Sequence, residues 1–115
     1  MIIEVRSYKL KAGTRPRLHA LFVEHALPML RRWNVDVVSY GPSLHDEMSY
    51  FLLRAYDDLD HRQQSHDAFY GSDEWRTGPR AAILECIEDY TDVVIAADDA
   101  GLAALRAALL TRARD

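Results

Sequence analysis

Apolar and polar residues alternate one by one through "IIEVRSYKL" at the start of the chain, and the pattern then stretches to a longer period. Ile3, Val5 and Ser7 fall on one face of this run and Glu4, Arg6 and Tyr8 on the other, the alternation of a β-strand. From Arg15 onward Leu18, Leu21, Phe22, His25 and Met29 recur at three to four residues and predict one stripe of a helix. Thr14 is placed to cap that helix and Pro16 is tolerated in its first turn. Pro28 predicts a kink or an early end, and Asn34 suits the left-handed residue that closes a helix. "VDVVSYG" (35–41), ended by Gly41-Pro42, and "SYFLLRAY" (49–56) read as two more strands, joined by a hairpin across "SLHDEM".

The second half repeats the alternation of periods. "DDLDHRQQSHDAFYGSDEW" predicts a helix with acids gathered at its start, where the helix dipole favours them. Gly71 interrupts it, and Ser72 or Asp73 can cap a following turn. After Gly78-Pro79, the spacing of Ile83, Cys86, Ile87 and Tyr90 predicts one helical face, and "YTDVVIA" (90–96) a fourth strand. Asp98 or Asp99 then caps a last helix carrying Leu102, Leu105 and Leu109 in line.

The order β-α-β-β-α-β plus one helix predicts a ferredoxin-like α+β domain, a four-stranded antiparallel sheet with its main helices on one face. Residues 1–97 form that domain, and 98–115 a C-terminal helical extension. The first and third strands should lie side by side in the centre. Their more apolar faces, Ile3/Val5 and Phe51/Leu53/Ala55, are expected to meet the helices. Glu4, Arg6 and Tyr8 should then lie beside Leu52, Arg54 and Tyr56 on the open face. Tyrosines and a leucine fit poorly in water, so that face is expected to bury against a second copy in a two-fold dimer. Inside such a barrel Arg54 needs a partner, and Glu4 on the neighbouring strand is the candidate.

Composition narrows the classes. A net charge of −4 argues against nucleic acid as the partner. No apolar run is long enough to span a membrane, and the N-terminus does not read as a secretory signal. One cysteine fits a reducing compartment, so a cytoplasmic location is expected.

Among titratable residues, His25 stands out because its stripe should face the sheet–helix cleft, where it could serve as a general base or as a hydrogen-bonded core residue. Ser7 should point into the same cleft. Phe22 belongs to that stripe. Phe69 and Trp75 could wall a pocket or anchor their helix to the sheet, and Trp33 should cover an edge of the core. No metal site is expected: His61 and His66 are five apart, His19 and His25 six, and neither pair has the spacing of two ligands on one helical face. Cys86 should be a buried small hydrophobe. No phosphate loop or nucleophile elbow is present, and no cofactor is expected.

"EVRSYKLKAG", "SYFLLRAY" and "FYGSDEW", with Phe69, Asp73, Glu74 and Trp75, resemble the NIPSNAP family of the dimeric α/β-barrel superfamily, over residues 2 to 96. The resemblance implies the fold and the homodimer; it implies no particular reaction. The wider superfamily includes cofactor-independent monooxygenases, haem-degrading enzymes, isomerases and polyketide cyclases, several with a pocket between sheet and helices. By that analogy the chain acts on an aromatic or polyketide-like metabolite, with His25 moving a proton, Phe69 and Trp75 as walls, and Arg6 or Arg54 holding an acidic group. Haem ligation by His25 is open by analogy alone. The alternative is a non-catalytic interaction module with a packed barrel.

Overall fold

The structure, a computed structural model, describes residues 1–109. Four strands, β1 (Ile2–Leu10), β2 (Asp36–Pro42), β3 (Ser49–Tyr56) and β4 (Ile87–Ala96), form one antiparallel sheet in the order β2-β3-β1-β4. The first and third strands are therefore central, as the βαββαβ order predicts. Six α-helical pieces join or follow them: α1 (Arg15–Leu21), α2 (Leu27–Arg32), α3 (Leu59–Tyr70), α4 (Asp73–Thr77), α5 (Arg80–Cys86) and α6 (Asp99–Ala108).

The first helical run is not a plain α-helix. Phe22–Ala26 form a π segment between α1 and α2, with the Leu27 N–H donating to the Phe22 carbonyl five residues back. In an unbroken α-helix the Pro28 ring would collide with the carbonyl of Glu24, and the wide turn before it relieves that clash. The run thus continues past Pro28, with its irregularity placed ahead of the proline. The segment also changes which residues face inward. Leu18, Phe22, Ala26 and Leu30, spaced by four, are buried, and His25 is exposed. Asn34 adopts a left-handed φ of 59° after the helix, a conformation asparagine tolerates. Asp58, Ser72 and Asp98 cap α3, α4 and α6 through their side chains. Thr14 makes no such cap; its hydroxyl donates to the carbonyls of Lys11 and Cys86.

The two faces of the sheet are exchanged relative to the sequence expectation. Glu4, Arg6, Tyr8 and Leu10 of β1, with Tyr50, Leu52, Arg54 and Tyr56 of β3, lie on the side covered by the helices. Their apolar members pack with Leu18, Phe22, Leu30, Phe69, Trp75 and Ile83 in the main core. Ile3, Val5, Leu53 and Ala55 lie on the other side, in a second cluster with Val38, Leu102 and Leu105. A bulge in β2 between Val37 and Ser39 lets Val38 join that second cluster while Tyr40 packs in the main core. The polar face of β1 turns inward because ionic partners arrive from α3 and β4, and because α6 covers part of the apolar face.

The α5 helix stops at Cys86, earlier than its apolar spacing predicts. Ile87 opens β4 instead, since β4 pairs with β1 along its whole length, from Ile2 opposite Ala96 to Leu10 opposite Ile87. Cys86 is buried. Beyond β4, α6 folds back with Leu102 buried, and Arg106 pairs with Asp36. The expected continuation of this helix past Leu109 lies outside the described residues. No helix among the described residues is long and apolar enough to cross a membrane.

Candidate functional site

At the centre of the sheet–helix layer sits a charged cluster built around Glu4, which has no solvent exposure. One carboxylate oxygen accepts from Arg54 Nε at 2.8 Å and from Arg54 Nη2; the other accepts from Arg62 Nε at 2.6 Å and contacts His66 Nε2 at 2.8 Å. Cross-strand register places Glu4 directly opposite Arg54, and α3 brings Arg62 and His66 down from above. Arg54 is therefore a paired interior charge with Glu4 as its partner, on the helix-covered side instead of in a barrel between subunits.

A second pair adjoins the first. Arg6 Nε and Nη2 donate to the two oxygens of Asp92, its register partner on β4, at 2.8 and 3.0 Å, the two-pronged geometry in which a guanidinium binds a carboxylate best. Arg62 Nη2 donates to Asp92 at 3.2 Å and so links the pairs. Tyr70 ties them from the other side: its hydroxyl oxygen accepts from Arg54 Nη1 at 2.8 Å and from Arg6 Nη1 at 3.2 Å.

These contacts set the charge states. Burial alone pushes the Glu4 carboxyl up, but the His66 and Arg54 interactions outweigh it and hold the group well below the usual carboxylate range. Burial disfavours charge on Arg6, yet the Asp92 hydrogen bond keeps its guanidinium more firmly protonated than in water. Burial and the neighbouring Tyr70 push the Tyr8 phenol up to about 12.

Beside this cluster the surface opens into a groove of about 350 Å³ between α5, the end of α3 and β4. Arg6, Tyr8, Tyr70 and Tyr90 line it together with Trp75, Arg80, Ile83, Leu84 and Ile87. The Arg6 guanidinium lies 4.5 Å from the centre of the Tyr90 ring, a cation–π distance. Behind the groove is an internal cavity of only about 30 Å³, walled by Phe22, Leu52, Phe69 and other core residues, and sharing Tyr8, Tyr70, Trp75, Ile83 and Ile87 with it. That volume holds about one water; the sheet–helix interior is nearly filled, and ligand-sized space lies at its rim.

The expected site residues divide accordingly. Phe22 and Phe69 wall the small cavity, Trp75 stands between cavity and groove, and Arg6 lines the groove. Arg54 is sealed behind Tyr70 and Glu4. Ser7 does not reach the interior: it is exposed on the opposite face of β1, near Lys9, Asp46 and Thr91, because that face points away from α1–α5. His25 does not face the cleft either. The π segment turns it outward, into a surface depression with Glu24, Pro28, Arg32 and Glu74. Trp33 covers the end of the core edge-on to Phe69, its indole N–H donating to Glu74 at 2.9 Å. Sequence reasoning missed Arg62, His66, Tyr70, Arg80 and Asp92. The signal for three of them was present: Arg62, His66 and Tyr70 recur every four residues and mark one polar stripe on a helix.

The NIPSNAP family model matches residues 3–97, most of the chain and all four strands. The chain belongs to the NIPSNAP family. Among the described elements, only α6 lies wholly beyond the matched region. An uncharacterised NIPSNAP domain protein from Burkholderia xenovorans superposes with a TM-score of 0.77 at 19% identity, over 86% of this chain and 96% of that one. A NIPSNAP family protein of unknown function from Agrobacterium tumefaciens gives 0.76 at 20% identity, over 83% and 86%. Further off, a candidate antibiotic biosynthesis monooxygenase from Nitrosomonas europaea gives 0.64 at 12% identity, over 84% and 98%. At these identities the likeness concerns the ferredoxin-like fold alone. No functionally curated protein sequence matches this NIPSNAP chain.

Proposed function

We propose that this NIPSNAP protein binds a small aromatic or polyketide-like metabolite in the groove between α3, α5 and β4 and converts it without a cofactor, by oxygenation, cyclisation or isomerisation. The groove itself carries this reading. Its roughly 350 Å³ is within the range of small-molecule sites, and four aromatic rings and two arginines line it, next to a fixed array of charge. The likeness to candidate antibiotic biosynthesis monooxygenases supports the reaction class by analogy of fold. The test is aerobic incubation with a panel of polyphenols and anthrones, reading oxygen uptake and product mass. Turnover that disappears in Leu84→Trp, which fills the groove from an exposed position, supports the reading. No turnover anywhere in the panel, with no groove resonances shifted by its members, defeats it.

The homodimer belongs to the same proposal, through the sheet face turned away from α1–α5. Val93 and Ile95 are 58% and 46% exposed there, beside the half-buried Val5 and Leu53, an apolar surface that water disfavours. The same surface, with the nearly filled interior, supports the second reading, a non-catalytic interaction module. The two separate on groove binding: a module of that kind leaves the groove empty of any small ligand. A cytoplasmic setting agrees with the single buried cysteine.

A further inference from the structure

Tyr70 is hydrogen-bonded in an unusual sense. Its oxygen accepts from two guanidiniums, Arg54 at 2.8 Å and Arg6 at 3.2 Å. A phenolic oxygen has two lone-pair positions and one proton, so both acceptor positions are filled from behind. The proton is what remains. It has no acceptor among the described residues, while the half-exposed ring borders the groove. A ligand oxygen in the groove that reaches the Tyr70 hydroxyl can therefore only accept from it.

The charges around it have the matching sign. Three guanidiniums, Arg6, Arg54 and Arg62, face the two carboxylates Glu4 and Asp92, so the cluster keeps an excess of positive charge. Arg80, on α5, also lines the groove, exposed and without a carboxylate partner among the described residues. No acidic residue among the described ones lines the groove. In a chain of net charge −4 this is a local reversal of sign. Trp75 and Ile87 supply apolar wall beyond the donors.

We infer that the groove selects an organic anion, an aromatic carboxylate or enolate whose charged oxygen accepts from the Tyr70 hydroxyl while Arg80 pairs with it. Tyr70 is then the specificity-determining residue, and Arg6 and Arg54 are positioning residues that fix its oxygen. This inference rests on the groove being the ligand site, and it adds the class of ligand.

The probes are 2-naphthoate and its neutral counterpart 2-naphthamide, titrated into the full chain with calorimetry for affinity and amide and indole NMR resonances for location. Naphthoate is expected to shift the Trp75 indole and the Arg80 and Tyr90 amides, and to bind about tenfold more tightly than naphthamide, as a charge-assisted hydrogen bond warrants. Tyr70→Phe and Arg80→Gln should each weaken naphthoate severalfold and leave naphthamide unchanged. Arg80 is exposed, so its variant tests the inference even if Tyr70→Phe folds poorly. Equal binding of acid and amide, unaltered in both variants, overturns the anion selectivity and leaves the groove reading standing. No groove resonance moved by either probe overturns that reading and this inference together.

Discussion

Replacing Glu4 by glutamine keeps the shape of the side chain and removes the charge on which the interior cluster is organised. The wild-type carboxylate takes hydrogen bonds from Arg54 and Arg62 and contacts His66, with zero exposure on Glu4 and 1% on Arg54. Glutamine offers one acceptor oxygen, and its amide N–H groups meet N–H donors of Arg62 or Arg54 head-on. Arg54 is then a buried cation without a counterion. Breaking a buried pair by removing one partner costs about 3–5 kcal/mol. That is a large share of the roughly 5–15 kcal/mol that holds a domain of this size together. The melting temperature should fall by about 10–20 °C. Urea unfolding followed by tryptophan fluorescence and far-ultraviolet circular dichroism measures the loss. The cycle with Arg54→Met isolates its cause: in the Glu4→Gln background the second substitution should cost much less than alone, since the stranded cation is gone. A loss below 1 kcal/mol, or two costs that simply add, would refute the account of a dry, mutually dependent pair.

The same carboxylate makes stability depend on pH. Its folded-state pKa is depressed below the ordinary 4.5, so its contribution is complete above that value and is lost progressively as the pH falls below it; the gap between wild type and Glu4→Gln should therefore close with acidification, and a gap constant from pH 7 to pH 3 would count against the assignment. At the alkaline end Tyr8 and Tyr56, both raised to about 12, should make stability decline from the ordinary tyrosine value of 10 up to 12, most visibly as a folded state that resists phenolate absorbance at 295 nm. Leu102→Ala should cost about 2 kcal/mol in urea unfolding by uncovering Ile3, Val38 and Ala55; no change would mean α6 is not docked. Val93→Asp should turn a sedimenting dimer into a monomer while leaving the fold intact; an unchanged sedimentation coefficient would move any self-association to another face. His25→Ala should change stability by less than about 0.5 kcal/mol and leave naphthoate binding untouched, because the side chain is exposed and outside the groove.

The element order was legible because each strand carries its own alternation. "SYFLLRAY" forms β3 from Ser49 to Tyr56, and the central placement of β1 and β3 follows from the order alone. What the sequence concealed was which way the strands turn. By hydrophobicity Ile3 and Val5 belong inside and Glu4 and Arg6 outside. The fold reverses this because Arg62, His66 and Asp92, remote in sequence, converge on those two charges, and because α6 shelters the apolar side. Pairwise partners of this kind leave no period along the chain. His25 was misplaced for a local reason, since a helical wheel assumes an even turn and the π segment is uneven. Arg6 and Trp75 were expected in two different places, a barrel interior and a sheet–helix cleft, and line one groove instead, whereas Tyr70 was hidden in a stripe that reads as an ordinary polar helix face.

The arrangement of β1 has a consequence for how the chain is made. Of the four strands of the sheet, β1 is synthesised before the others yet lies in the centre, and it pairs with β4, which is made after them: Tyr8 lies opposite Tyr90 and Ile2 opposite Ala96. At about 5–20 residues per second, some eighty residues of synthesis separate the appearance of Tyr8 from that of its partner, a delay of roughly 4–16 s. Through that interval Glu4 has neither Arg54, Arg62 nor His66 until β3 and α3 emerge, and Ile3 and Val5 keep an unpaired edge. The sheet can therefore close only once β4 has been made, and β1 waits unpaired on that side until then.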